Sequence, residues 1–95
     1  MNERIIIFSP RAQTRLNEIA DYLYRKNLSK KFVRDYINSF EKWLNLVLGQ
    51  FPESGCLMSE YGDGILRIAY REYSFIYRVN IKEREILTIY RENQP

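Results

Sequence analysis

"ILRIAYREYSFIYRV", residues 65–79, reads as two short strands joined by a tight connection at Arg71-Glu72. Its β-branched and aromatic residues fit a pleated, half-buried surface, and so short a link between two such runs makes a hairpin. Strand residues alternate faces, so Tyr73, Phe75, Tyr77 and Val79 share one side and Ser74, Ile76, Arg78 and Asn80 the other. On the preceding strand Leu66, Ile68 and Tyr70 join the apolar side, which leaves Arg67 and Ala69 outward. One face of the hairpin is therefore a core face, and the other mixes cations with a serine and an isoleucine.

A third strand is expected at about 85–91, after a short connection at Ile81–Arg84. Its alternation sends Leu87 and Ile89 inward and Ile86, Thr88, Tyr90 and Glu92 outward. The exposed sheet face would then carry Arg67, Ser74, Ile76, Arg78, Thr88, Tyr90 and Glu92. That mixture fits a recognition surface, and equally the solvated side of any antiparallel sheet.

Upstream of the hairpin, Arg4–Phe8 (RIIIF) is a short apolar run rich in β-branched residues, expected to be a well-buried strand. Ser9-Pro10 then signals a helix start, with Ser9 as cap and Pro10 at the first helical position. Ala12, Leu16, Ile19, Ala20 and Leu23 form one stripe, and Lys26-Asn27 suits the helix end. Ser29 caps a second helix in which Phe32, Val33, Tyr36, Ile37, Phe40, Trp43, Leu44, Val47 and Leu48 hold helical spacing, with Gly49 as the natural stop. The two helices are separated by a few residues, so an antiparallel helical hairpin is expected. Arg11, Arg15, Arg25, Lys30, Lys31 and Arg34 fall outside both stripes, as a solvated face or a partner surface. Phe51-Pro52-Glu53-Ser54-Gly55 is a turn leading into a polar loop that ends at Gly62-Asp63-Gly64. The order β-α-α-β-β-β gives an α+β domain, its helical hairpin packed on one face of a small, mainly antiparallel sheet.

Composition narrows the chemistry. A chain of 95 residues is expected to form one domain over 1–95. The net charge of +3, with a pI near 9.1, favours acidic partners. Cys56 is the only cysteine, so no intrachain disulfide forms, and it reads as a small hydrophobe in a loop. The absence of histidine excludes the usual Cys/His zinc sites and histidine-based triads. No metal or cofactor is expected. No apolar run reaches the roughly 18 residues of a membrane span, so a cytoplasmic protein without membrane contact is expected.

Several segments, taken in order, resemble the RelE/ParE superfamily of bacterial type II toxin–antitoxin modules. They are the opening strand with Ser9-Pro10 and Ala12; Ile19-Ala20-Asp21-Tyr22-Leu23; Phe51-Pro52-Glu53-Ser54-Gly55; Leu66-Arg67-Ile68; Tyr73–Val79; and Ile86-Leu87-Thr88-Ile89-Tyr90-Arg91. The ParE-like branch is the most similar, through FPESG and the strand at Tyr73–Val79. The resemblance implies a small toxin that arrests growth and is neutralised by a cognate antitoxin, through which alone it meets operator DNA. It also implies one of two targets: DNA gyrase for ParE-like members, or messenger RNA on the ribosome for ribonuclease members.

Residue by residue, Arg67 matches a basic position of the ribonuclease members. Ala69 and Ser74 stand where relatives are often basic, Tyr90 stands where many have histidine, and no tyrosine follows it. Ribonuclease chemistry needs a base, an acid and charge stabilisation at phosphorus. Arg67 and Arg78 suit the last, since a guanidinium matches phosphate geometry. Tyr90 and Glu92 complete the candidate set, although a phenol with a reference pKa of about 10 is a weak base at neutral pH.

The leading expectation is a ParE-like toxin acting by binding a protein target, plasmid stabilisation being the associated role. Its target- or antitoxin-binding face is Arg67, Ser74, Ile76, Arg78, Tyr90 and Arg91, with the helical hairpin surface added to the antitoxin footprint. The alternatives are a ribosome-dependent endoribonuclease using Arg67, Tyr90 and Glu92, and a non-toxic module kept as an antitoxin-binding partner.

Overall fold

The computed structural model describes residues 5–80 and 83–91. Ser9 starts a helix at Pro10–Arg25 (α1), its hydroxyl accepting the Ala12 N–H at 3.1 Å. Ser29 does the same for Phe32 at 3.0 Å, opening a second helix at Lys30–Gln50 (α2). Such caps satisfy backbone donors that the first turn leaves without partners. Between the helices Asn27 takes the left-handed conformation expected of it, with φ 63°.

Before α1 lies β1 (Ile5–Phe8), and after α2 come β2 (Cys56–Leu57), β3 (Ile65–Tyr70), β4 (Tyr73–Val79) and β5 (Glu83–Arg91). The sheet order is β1-β5-β4-β3-β2, with β1 parallel to β5 and every other pairing antiparallel. The expected α+β architecture and mainly antiparallel sheet are both present. Two residues of the expected loop, Cys56 and Leu57, instead pair with Arg67 and Leu66 as an edge strand.

Both helical stripes pack on the sheet. Ala12, Leu16, Ile19 and Leu23 of α1 meet Val33, Phe40, Leu44 and Leu48 of α2 over Leu66, Tyr73, Phe75, Tyr77, Ile86 and Ile89. Phe40 lies at the centre, edge-on to the rings of Tyr36, Tyr70, Tyr73 and Phe75. Edge-to-face rings add to the area that each aromatic buries.

Three local expectations change. Gly49 does not stop α2, which runs on to Gln50 and closes with the Phe51 N–H on the Val47 carbonyl at 2.7 Å. A helical glycine costs about 1 kcal/mol but does not end a helix whose Leu44 and Leu48 are wholly buried. Phe32, expected in the core, is 47% exposed at the start of the stripe, where it stacks on Tyr36. β5 also begins earlier than the Ile81–Arg84 connection allowed, at Glu83, and Arg84 is buried at 1% exposure. The Arg84 Nε donates to the Leu48 carbonyl at 3.0 Å, placing a cation at the C-terminal end of α2.

The largest change comes from a bulge. The β4–β5 register slips between Ile76 and Tyr77: Ile76 pairs with Thr88, but Tyr77 pairs with Ile86. Leu87 is the extra residue, and an extra residue reverses the alternation of the strand before it. Ile86, expected outward, is therefore wholly buried on the helix side together with Ile89.

Candidate functional site

The outward face of the sheet forms three cross-strand rows, read from the register: Ala69, Ser74 and Tyr90; Arg67, Ile76 and Thr88; Ile65, Arg78 and Glu85. β4 is the central strand of this face, flanked by β3 and β5. Two of its outward residues are covered rather than exposed, Ser74 at 0% and Ile76 at 2% exposure. This corrects the expectation of an open face at those positions. Arg67 is half-buried and crosses diagonally to the next row, where its Nε donates to the Ser74 hydroxyl at 3.0 Å.

Arg78 is exposed, and its Nη2 donates to Glu85 Oε1 at 2.7 Å. An ion pair of this kind contributes about 0–1 kcal/mol, so it orients Arg78 more than it stabilises the fold. Tyr90 lies opposite Ser74, 37% exposed. Two of the three candidate ribonuclease groups, Arg67 and Tyr90, thus flank one buried hydroxyl. The third, Glu92, lies outside the described residues.

Arg91 does not share this face. It pairs in register with the buried Tyr73 and turns toward α1, where its Nη1 donates to the Tyr22 hydroxyl at 3.3 Å and its Nη2 meets Glu72 at 3.3 Å. A cleft of about 250 Å³ opens there, lined by Arg15, Glu18, Ile19 and Tyr22 of α1 and by Tyr73, Ile89, Tyr90 and Arg91. Lys26 sits over the same Tyr22 ring at 4.9 Å, with Arg91 at 5.5 Å. Lys26, then Arg91, hold the Tyr22 hydroxyl below the usual tyrosine pKa by hydrogen bonding to its ionised form.

Sequence reasoning assigned Arg15 to a general outer face and gave Tyr22 no role. The available signal was spacing: Glu18, Ile19 and Tyr22 stand three, four and seven positions after Arg15, which puts the four along one edge of the apolar stripe.

The segment at 51–55 is fixed from below. Tyr77 donates its hydroxyl to the Pro52 carbonyl at 2.9 Å and accepts the Gly55 N–H at 3.1 Å. A Cβ at Gly55 would come within 2.6 Å of the Arg67 carbonyl oxygen, so glycine lets this loop lie against β3.

Among the described residues no helix is long and apolar enough to cross a membrane, and no cluster of His, Cys, Asp or Glu is placed to hold a metal ion.

Comparison with known proteins gives a consistent picture. The family described as the ParE toxin of the type II toxin–antitoxin system parDE matches residues 6–94. A solved chain from the chromosomal ParDE TA system of P. aeruginosa is similar in fold, with a TM-score of 0.71. It is 19% identical, and the match covers 98% of this chain and 100% of that one. No curated protein matches.

Proposed function

The chain belongs to the ParE toxin family of type II toxin–antitoxin systems, and on that footing we propose that it arrests growth by binding a protein target in the cytoplasm. DNA gyrase is the first candidate target, and a cognate antitoxin neutralises the toxin. The observation that carries this reading is the state of the outward sheet face. A ribonuclease would need cations and a proton acceptor free to meet a phosphodiester. Here Arg67 is drawn onto Ser74 at 3.0 Å, Ser74 and Ile76 are buried, and Arg78 is held by Glu85 at 2.7 Å. Such a surface offers shape and a fixed charge pattern to a partner, which suits recognition better than proton transfer.

One observation favours the ribonuclease alternative: Arg67 and Tyr90 meet around the same residue, Ser74. Charge stabilisation by Arg67 with Tyr90 as a proton-transfer group is its minimal form. Tyr90 would then have to ionise far more readily than a free phenol, whose pKa is about 10.

Induced expression separates the two. Under the binding reading growth stops with early DNA-damage signalling while messenger RNA stays intact, and co-expression of the adjacent reading frame's product restores growth. Translation arrest with cut messenger RNA as the first event rejects it. Harmless expression without the antitoxin rejects toxicity altogether and leaves an antitoxin-binding module.

A further inference from the structure

Where α2 meets the β3–β4 turn, five side chains form a continuous ladder. Phe32 stacks on Tyr36 with ring centroids 6.0 Å apart, and the Arg71 guanidinium lies over the Tyr36 ring at 4.9 Å. The same guanidinium lies over Tyr70 at 5.3 Å, and Tyr70 stacks on Trp43 at 4.4 Å with an interplanar angle of 15°. Behind the ladder the buried Phe40 stands edge-on to Tyr36 and Tyr70, so these rings are fixed from the core side. Phe32 and Arg71 are exposed, and Tyr36, Tyr70 and Trp43 are half-buried.

The backbone at Arg71 suits that residue poorly. Arg71 opens the two-residue link between β3 and β4 with φ 59°, where glycine, asparagine or aspartate is the usual occupant. Strain of this kind at a residue with a long polar side chain points to a use for that side chain. Arg78 and Arg91 each meet a carboxylate, Glu85 at 2.7 Å and Glu72 at 3.3 Å, but among the described residues no carboxylate pairs with Arg71. A guanidinium carries five N–H donors, more than the Tyr70 and Tyr36 hydroxyls beside it can take. Hydrogen bonding to Arg71 also holds the Tyr70 hydroxyl below the usual tyrosine pKa, a sign of positive potential at the ladder.

We propose that this ladder anchors the toxin to its protein target, taking a carboxylate of the target on the Arg71 guanidinium and apolar side chains on the ring edges around it. The proposal rests on the reading of this chain as a toxin that binds a protein, and adds a surface on the helix side of the sheet. Trp, Tyr and Arg are the residues that carry most of the binding energy at protein interfaces, and rings already fixed lose little freedom on binding. A guanidinium laid over rings presents its N–H edges, the geometry that grips a carboxylate through two bonds. The net charge of +3 favours an acidic partner over a second copy of this chain.

The test is hydroxyl-radical footprinting of the unmodified protein, alone and with gyrase free of DNA, read by mass spectrometry. Oxidation of Phe32, Tyr36, Trp43 and Tyr70 is expected to fall about threefold or more in the complex, because contacts around an anchor exclude water. Arg71→Gly removes the cation at a position whose φ suits glycine. It is expected to raise the half-inhibiting concentration in gyrase supercoiling about tenfold or more, the size of one lost charge-assisted contact. A gyrase complex in which the four side chains oxidise as in the free protein overturns the proposal and leaves the target reading standing. Inhibition by Arg71→Gly equal to that of the unmodified chain does the same. Failure of the unmodified protein both to bind gyrase and to inhibit supercoiling overturns that reading and the proposal with it. Protection by a single-stranded oligonucleotide or by the adjacent reading frame's product, without protection by gyrase, assigns the ladder to that partner and also overturns the proposal. Footprinting is read on the unmodified chain, so the outcome does not depend on any variant folding.

Discussion

Arg67 donates its Nε hydrogen to the buried hydroxyl of Ser74 at 3.0 Å, a diagonal contact between β3 and β4 that turns the sole basic side chain of β3 across the sheet. The two residues are thereby coupled, and the surface they share is a closed polar contact.

Replacing Ser74 with alanine removes the acceptor under a charged donor. The expected cost is about 1.5–3 kcal/mol, the range for a hydrogen bond to a charged group. Urea denaturation should show a lower midpoint with an unchanged slope. A midpoint equal to that of the unmodified chain would mean that the Arg67–Ser74 contact contributes no stability.

Gly55→Ala places a methyl group 2.6 Å from the Arg67 carbonyl oxygen and 2.8 Å from the Tyr77 hydroxyl. Overpacking against backbone of this kind costs about 1–3 kcal/mol. Thermal unfolding should register the loss, whereas Gly49→Ala, with nothing within 4 Å of its Cβ position, should stabilise α2 by a few tenths to about 1 kcal/mol.

Tyr77→Phe deletes both bonds to the 51–55 segment and should cost about 1–3 kcal/mol at neutral pH. Burial pushes the Tyr77 pKa above its ordinary value, so the folded chain holds that proton more tightly than the unfolded one. Its contribution is complete below about pH 10, the unfolded tyrosine value, and is lost as pH rises through the higher folded value. Denaturation midpoints should therefore fall above that pH, and less steeply in Tyr77→Phe. Tyr73, also pushed up by burial, keeps part of the slope in both proteins.

Ser9 caps α1 and ties the start of that helix to the Leu87 carbonyl at 2.8 Å. Ser9→Ala should lower stability by about 1–2 kcal/mol, toward the upper end of N-cap substitutions because a second bond is lost. Ser29, whose cap bond stands alone and exposed, should cost about half as much when changed to alanine. Equal losses for the two serines would show that the Leu87 contact contributes nothing.

Much of the fold is legible in the sequence because it rests on local signals. The serine caps, the stripes from Ala12 to Leu23 and Val33 to Leu48, and the short link at Arg71-Glu72 each specify an element without reference to the rest of the chain. What escaped depends on long-range pairing. Nothing near Leu87 announces a bulge, and the reversed placement of Ile86 follows only from the register with Tyr77. The candidate site divides in the same way. Arg67, Ser74, Ile76, Arg78 and Tyr90 share the face that alternation gave them, but alternation carries no sign that Ser74 and Ile76 are buried on it. Arg91 and Tyr22 are 69 positions apart, and only the packing of α1 beside β5 brings them together.

The central claim, binding in preference to cutting, is tested most directly with purified protein added in parallel to a gyrase supercoiling reaction and to ribosomes carrying messenger RNA. Inhibited supercoiling beside intact messenger RNA is the predicted result. Cleavage of the ribosome-bound messenger RNA, abolished by Arg67→Ala and unaccompanied by any effect on gyrase, would contradict it.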